Sequence, residues 1–514
     1  MSSPEPPANP KRKSARSRIA VNFEPLTARL QLQSWIERLR RDIKSGGFGL
    51  IVSLLMHAVV MIVLAFIIFQ PRSAGDGDPL IASWLTPAEK AESSARRRQP
   101  LSLPIEVGSL PATKPVEKTP SEAGDPDNTP KPGVSPVKVS ESLDGRNPRI
   151  RDENLERLGG TPKAEQAIRL GLQWLKRQQT TDGHWELHQG YPDAVASPYR
   201  SNTAATALAL LAFLGHGNTH QTGEHKDVVE KGLKWLRGIQ DPVTGNLDDM
   251  RQEEGREPAF YAHSMGTIAL CEALTLTGDN ELKPTAEQCV RYLLVAQHPD
   301  FGGWKFRPIS KLMVGDLSVT GWALMALHTA RMAGIEIQQE EFERSSQFLD
   351  SVQARGSARY KFEPTWPDNR VSPGLTAQGL LCRQWLGWPK DFPQMQAGIK
   401  YVTAEENWPS WTSGRRNVYA WYYTSQMLHN IGGDDWKRWN NAVRDTIVKN
   451  QVTGGSSKPG QDVRGSWHPL EPRGADREFA EKGGRLYVTA MCILILETPY
   501  RYQSIYGSEP KSGE

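Results

Sequence analysis

The chain has 514 residues, 38% of them hydrophobic, with 45 Gly and 37 Pro, enough polypeptide for more than one domain and for a large buried core. Its 62 basic and 58 acidic side chains leave a formal charge of +4, too near balance for a nucleic-acid binder that works through a basic face. Four widely spaced cysteines, Cys271, Cys289, Cys382 and Cys492, exclude a disulfide framework and any C-x-x-C zinc or redox motif.

Residues 1–47 form a basic tail that includes Lys11, Arg12, Lys13, Arg38, Arg40, Arg41 and Lys44. Residues 48–69 follow as FGLIVSLLMHAVVMIVLAFIIF, 22 residues without a formal charge, long enough to cross ~30 Å of hydrocarbon as one helix. The run is too long for a signal peptide and has no small-residue cleavage site after it. The Lys/Arg bias before the span places the N-terminus in the cytoplasm and everything after Phe69 outside the inner, cytoplasmic membrane. Ser53 and His57 lie one helical turn apart on one face of the span, and such a polar pair points to a partner inside the membrane. The Ser-x-x-x-His pattern, with the Lys/Pro-rich stretch after it, resembles the membrane anchor of TonB-type energy transducers, which implies an envelope protein partner. Residues 70–160 are rich in Pro, Ser, Lys and Glu, with Trp84 their one aromatic residue. That composition cannot bury enough apolar surface to offset chain entropy, so a disordered linker is expected.

From residue 161 to 506 a two-helix unit repeats, and residues 507–514 form a tail. The first helix of each unit is amphipathic, with anchors at Trp174, Trp235, Tyr292, Phe348, Tyr401 and Ile447, 46 to 61 residues apart. The second helices begin near Asn202, Tyr261, Asp316, Pro373, Asn417 and Arg485 and run almost wholly apolar or small, as in TAATALALLAFLG. A helix that is hydrophobic all round is buried. The expectation is an all-α fold, an (α/α)6 toroid of six hairpins with the apolar helices inside.

The segment WLKRQQTTDGHW carries Trp174, Leu175, Gln178, Gly183 and Trp185. Partial copies follow, through Trp235, Leu236, Gln240, Gly245 and Leu247, then through Tyr292, Leu293, Gln297, Gly302 and Trp304, with Phe348, Leu349 and Gln353 keeping the first half. These segments resemble the QW repeats of squalene and oxidosqualene cyclases, and the whole region resembles the toroids of terpenoid cyclases and protein prenyltransferases. The resemblance implies that Gln and Trp tie adjacent outer helices together, a structural role.

The chemistry of those families is not carried over with the fold. Protonating cyclases use an Asp-x-Asp-Asp acid, which needs a carboxyl group held neutral, and here only Asp316 stands at the start of the corresponding inner helix. Asp248-Asp249 and Asp434-Asp435 fall in turn-like contexts that suit helix caps. No DDxxD magnesium cluster occurs, and Cys382, His263, His328 and Asp316 lack diagnostic zinc spacing, so no cofactor or metal is expected. Parallel inner helices share one mouth, where Tyr199, Asn202, Tyr261, Asn417, Tyr419, Arg485 and Tyr487 should gather as ligand-binding residues, with Trp304 and Trp421 as aromatic platforms. Asp316 and His263 are the acid/base candidates. The leading expectation is a toroid that binds a hydrophobic, isoprenoid-like ligand or a protein partner. The alternative is a divergent terpene cyclase or polysaccharide lyase-type enzyme that uses Asp316 with His263.

Overall fold

The computed structural model describes residues 143–187, 200–247, 259–306, 314–456 and 461–507, all within one compact unit, Pro120–Glu514. A short 3-10 turn, Asp144–Arg146, leads into α1 (Pro148–Leu158). Six hairpins follow: α2 (Pro162–Gln178) with α3 (Asn202–Gly215), α4 (Lys226–Ile239) with α5 (Ala259–Thr277), and α6 (Lys283–Ala296) with α7 (Leu317–Met332). Then come α8 (Gln339–Val352) with α9 (Pro373–Trp385), α10 (Pro393–Val402) with α11 (Val418–Ile431), and α12 (Gly433–Lys449) with α13 (Ala480–Arg501). Helices α3, α5, α7, α9, α11 and α13 each pack on the next, and α13 packs back on α3, so the inner ring is closed. Among the described residues the only extended pairing is two isolated bridges, Gln353 with Tyr360 and Lys361 with Val371.

Sequence chemistry explains the two layers. All of α3 is buried, from Asn202 to Gly215, as its unbroken run of Ala, Leu and Thr requires. The outer helices bury one stripe each, such as Ile168, Leu172 and Leu175 on α2. Inner helices start at side-chain caps: Ser201 accepts from Ala204 N–H (3.1 Å), Ser372 from Leu375 N–H (3.2 Å) and Asn417 from Ala420 N–H (3.0 Å), each satisfying an N–H the helix cannot. In α13 the left-handed Gly484 (φ 71°) interrupts the first turn, so the regular helix begins at Arg485, as the sequence suggested.

The repeat motif works as a clasp between outer helices, with one correction. Gln179, not Gln178, makes the contacts: its Nε2 donates to the carbonyls of Gly183 (2.8 Å) and of Val228 at the start of α4 (2.9 Å). That places the glutamine five residues after its anchor Trp174, the spacing of Gln240 after Trp235, Gln297 after Tyr292 and Gln353 after Phe348. Gln297 donates to Gly302 O (2.8 Å), Glu341 O (3.0 Å) and Ser345 Oγ (2.9 Å). The motif tryptophans return their indole N–H to the preceding helix, Trp185 to Leu175 O (2.7 Å) and Trp304 to Leu293 O (2.8 Å). Two further copies are hidden in the sequence. Tyr360 takes the tryptophan's place after Gln353, and Trp467 does so after Gln451, whose Nε2 reaches Ala167 O (2.8 Å) and joins the last outer helix to the first. Gly302 has to be glycine: its φ is +71°, and a Cβ would stand 1.9 Å from Arg344 O.

The helical unit includes residues ahead of the expected linker boundary at residue 160. Leu143 and Arg146 are buried, because Arg146 enters a cluster of charges at the C-terminal ends of the inner helices. Its guanidinium forks onto Glu272 (2.8 and 2.9 Å). Arg501 also binds Glu272 (3.0 Å) and reaches Glu497 (2.9 Å). A buried carboxylate is tolerable only with such pairing. The expected membrane span 48–69 with Ser53 and His57, the linker up to residue 142, Tyr199, Asp248, Asp249 and the tail from residue 508 lie outside the described residues. Among the described residues no helix is long and apolar enough to cross a membrane.

Candidate functional site

A cavity of about 210 Å3 sits at the N-terminal ends of the inner helices. Five of those helices supply its wall: Ala204 and Leu208 from α3, Tyr261 and Met265 from α5, Trp322 from α7, Tyr419 from α11 and Tyr487 from α13. The loops ahead of the helices add Leu187, Phe306, Phe362 and Phe479. Leu187, Phe306 and Phe362 each stand two residues after a motif residue, Trp185, Trp304 and Tyr360. The extended chain after the clasp therefore turns the same side inward in three repeats.

Among the described residues one acidic side chain faces this apolar space. Asp316 caps α7: its Oδ1 accepts from Ser318 N–H (2.8 Å) and from the Ser318 hydroxyl, which is itself hydrogen-bonded to the Tyr261 hydroxyl. Burial pushes the Asp316 carboxyl up to about 6, against the opposing pull of the Ser318 bonds and of nearby Lys305, which is paired with Glu363. The Tyr419 hydroxyl donates to Gln378 Oε1 (2.7 Å), and the Tyr487 hydroxyl donates to Glu478 O (3.0 Å). These two tyrosines thus bind the wall with their polar ends and leave ring surface for the cavity. Lys482 and Gly483 complete one side.

The segment that carries Phe479 is held by a buried ion pair. Arg416 Nη2 binds Glu478 Oε1 (2.8 Å), Arg416 Nη1 reaches His468 O (2.8 Å), and Glu478 Oε2 accepts from Val418 N–H (3.1 Å). Phe479 itself adopts φ 63°, a conformation costly for an aromatic residue, and packs edge-on against Tyr419 with ring centroids 5.0 Å apart.

Of the residues expected at the mouth, Tyr261, Asp316, Tyr419 and Tyr487 line the cavity. The others do not. Asn417 is spent on the cap of α11, and Asn202 is buried in the first turn of α3. Arg485 turns to Ser466 Oγ (2.9 Å). Trp304 belongs to the clasp, and Trp421 packs in the core beside Trp411. His263 is corrected most. It is fully buried, its Nδ1 accepts from Leu247 N–H (3.2 Å), and its Nε2 hydrogen-bonds Cys289 O (3.0 Å). Burial holds the ring neutral, with its pKa lowered to about 4. Thr206, Thr320, Thr376 and Thr489 accept the same bond from Trp185, Trp304, Tyr360 and Trp467, so His263 occupies a structural position of the repeat.

Nor do the zinc candidates converge. Cys382 is fully buried with its thiol pKa raised, and His328 stacks on Trp385 at the other end of the ring. Among the described residues no group of three or more His, Cys, Asp or Glu could hold a metal ion. Asp434 and Asp435 are exposed in the first turn of α12, where a helix favours acidic residues. Trp322, Phe306, Phe362 and Phe479 are the aromatic residues of the described lining that the sequence did not single out.

No family model matches the chain. The helix packing and the clasps define a closed α/α toroid, similar in fold to the terpenoid cyclases. The squalene–hopene cyclase of Bradyrhizobium diazoefficiens is 23% identical over 277 residues, covering 48% of this chain and 40% of the cyclase. The chain thus spans about two fifths of the length of the curated relative it matches. Similar solved structures include a type II terpene cyclase from Scytonema bound to geranylgeranyl dihydroxybenzoate (13% identity, TM-score 0.40, 66% of this chain and 97% of that one). A cellobiose 2-epimerase from Spirochaeta thermophila is also similar (12% identity, TM-score 0.44, 71% of this chain and 99% of that one), as is an α-1,6-mannanase of Salegentibacter (13% identity, TM-score 0.43, 66% and 99%). At such scores they add nothing to the architecture read from the helix packing.

Proposed function

We propose that this chain is a membrane-anchored, extracytoplasmic toroid whose cavity holds an apolar, isoprenoid-like lipid. Residues 48–69 would span the membrane with the N-terminus in the cytoplasm, the residues after them would tether the toroid, and Ser53 and His57 would meet a protein partner within the bilayer. Protease treatment of spheroplasts tests the topology: cleavage of the toroid from outside supports it, and protection overturns it.

One observation carries the ligand class: among the described residues seven of the fifteen that line the cavity are aromatic, and Ala204, Leu208, Met265 and Leu187 are aliphatic or thioether neighbours. A sugar brought into such a wall would lose its hydrogen bonds to water without replacement. The curated relative, named for squalene, supports the same class. The test is lipid extraction and mass spectrometry of the full chain purified in detergent from its own host. A stoichiometric apolar lipid, lost when Ala204→Phe fills the cavity, supports the reading; an empty wild-type toroid overturns it.

A second reading makes the toroid a divergent cyclase or lyase in which Asp316 moves a proton. The raised pKa of Asp316 favours it. Against it, a motif of the Asp-x-Asp-Asp form begun at Asp316 would find Ser318 and Val319 where its other two carboxylates belong. His263 is also committed to the fold. Conversion of the co-purified lipid to a rearranged product by the wild type but not by Asp316→Asn would establish catalysis.

A further inference from the structure

We propose, resting on the reading of the cavity as a lipid site, that the lipid is an alcohol: an uncharged hydroxyl head seated on the chain Asp316, Ser318 and Tyr261, with its apolar tail along the aromatic wall. Lys482 aside, the polar side chains that face the cavity among the described residues are grouped, not scattered. Tyr261 hydrogen-bonds Ser318, and Ser318 donates to Asp316, while Tyr419 and Tyr487 turn their hydroxyls into the wall. The site therefore offers one polar corner in an otherwise apolar space, the arrangement that fixes a ligand with one polar end.

Charge then selects the head. A diphosphate would have to approach the buried Asp316 carboxyl, and among the described residues few cations stand near it. Lys305 is paired with Glu363, Arg485 faces Ser466, and Arg477 lies over the Phe362 and Trp366 rings. Of the described cations, Lys482 alone lines the cavity. Bringing two or more negative charges beside Asp316 with that counter-charge is unfavourable in a dry site. A pure hydrocarbon fails for the opposite reason, because it would strip water from Asp316, Ser318 and Tyr261 and give nothing back. A hydroxyl both donates and accepts, so it satisfies the carboxyl whether Asp316 carries its proton or not.

The test uses the full chain, delipidated in detergent, with three probes of one tail length: geranylgeraniol, geranylgeranyl diphosphate and phytane. Binding is read by quenching of tryptophan fluorescence. The alcohol is expected to bind at least about tenfold more tightly than either of the others, one good hydrogen bond to a charged or acidic group being of that size. Ser318→Ala and Tyr261→Phe, which keep the wall and the helix, should each weaken the alcohol about fivefold or more and leave phytane within about twofold. Diphosphate binding as tight as the alcohol overturns the proposal, as does equal binding of alcohol and phytane; in both cases the lipid site itself stands. Failure of all three probes to bind overturns the lipid-site reading and the proposal with it.

Discussion

Leu247 gives its backbone N–H to Nδ1 of His263 over 3.2 Å, the bond that Trp304 gives to Thr320 Oγ1 over 3.0 Å one repeat later. The second repeat has thus replaced both partners of one structural hydrogen bond, Trp by Leu and Thr by His, and kept the bond. His263→Thr keeps the bond to Leu247 but loses the one to Cys289 O and the ring's packing, so it is expected to fold at a cost of about 1–3 kcal/mol, and His263→Ala, which also strands the Leu247 N–H, should cost about 1–3 kcal/mol more. Neither should change lipid occupancy. Urea unfolding and lipid extraction measure both, and loss of lipid from a stably folded His263→Thr protein would return His263 to the site.

The clasp separates two neighbouring glutamines. Gln179 joins α2 to α4 through two bonds from one Nε2. Gln178, the last residue of α2, makes no such bridge among the described residues. Gln179→Ala should destabilise by about 1–2 kcal/mol and Gln297→Ala, which removes three bonds, by about 2–3 kcal/mol, with Gln178→Ala within about 0.5 kcal/mol of wild type. Equal effects at 178 and 179 would show that the sequence register, with Gln178 in the motif, is the correct one.

Most of the ring was legible in the sequence because helical period and small-residue content are local signals: the starts expected at Asn202, Pro373 and Asn417 fall within a residue of those observed. The site was half legible. Tyr261, Asp316, Tyr419 and Tyr487 follow from lying at helix starts that share a mouth, but that rule could not separate them from Asn417 or Arg485, whose side chains are used by the cap and by Ser466. Phe306 and Phe362 were readable in principle, two residues beyond the clasp aromatic, had Tyr360 been recognised as its equivalent. Phe479 was not readable, because its place depends on the distant pair Arg416 and Glu478.

Arg146 gives the toroid a boundary that composition hides. Its guanidinium and that of Arg501 together hold Glu272 well paired, while burial raises the pKa of Glu497 despite its bond to Arg501. Arg146→Ala removes one of the two guanidiniums on Glu272 and leaves Arg501 shared between two buried carboxyl groups, so it should cost about 2–4 kcal/mol. It should also release residues 143–158 to protease before the rest of the toroid is cut. Cleavage that begins within the hairpins instead would mean that the arm is not anchored by this cluster.

Asp316 supplies a pH signature. Burial raises its carboxyl from 3.8 to about 6, so between these values the native chain holds a proton that the unfolded chain has released. By linkage the group favours the folded state below about pH 4, and that advantage is lost as the pH rises through about 6. The difference is on the order of 3 kcal/mol for a shift of this size. Asp316→Asn keeps a side-chain oxygen for the cap and cannot titrate. Relative to wild type, the Asn variant should therefore gain stability on going from about pH 4 to about pH 7. Urea titrations of both proteins across that window measure the gain. A difference that stays flat would mean that Asp316 ionises as an ordinary surface carboxylate, and that the polar corner of the cavity is wet. In that case the acid could not hold a proton for an alkene, and the catalytic reading would fall before the binding one.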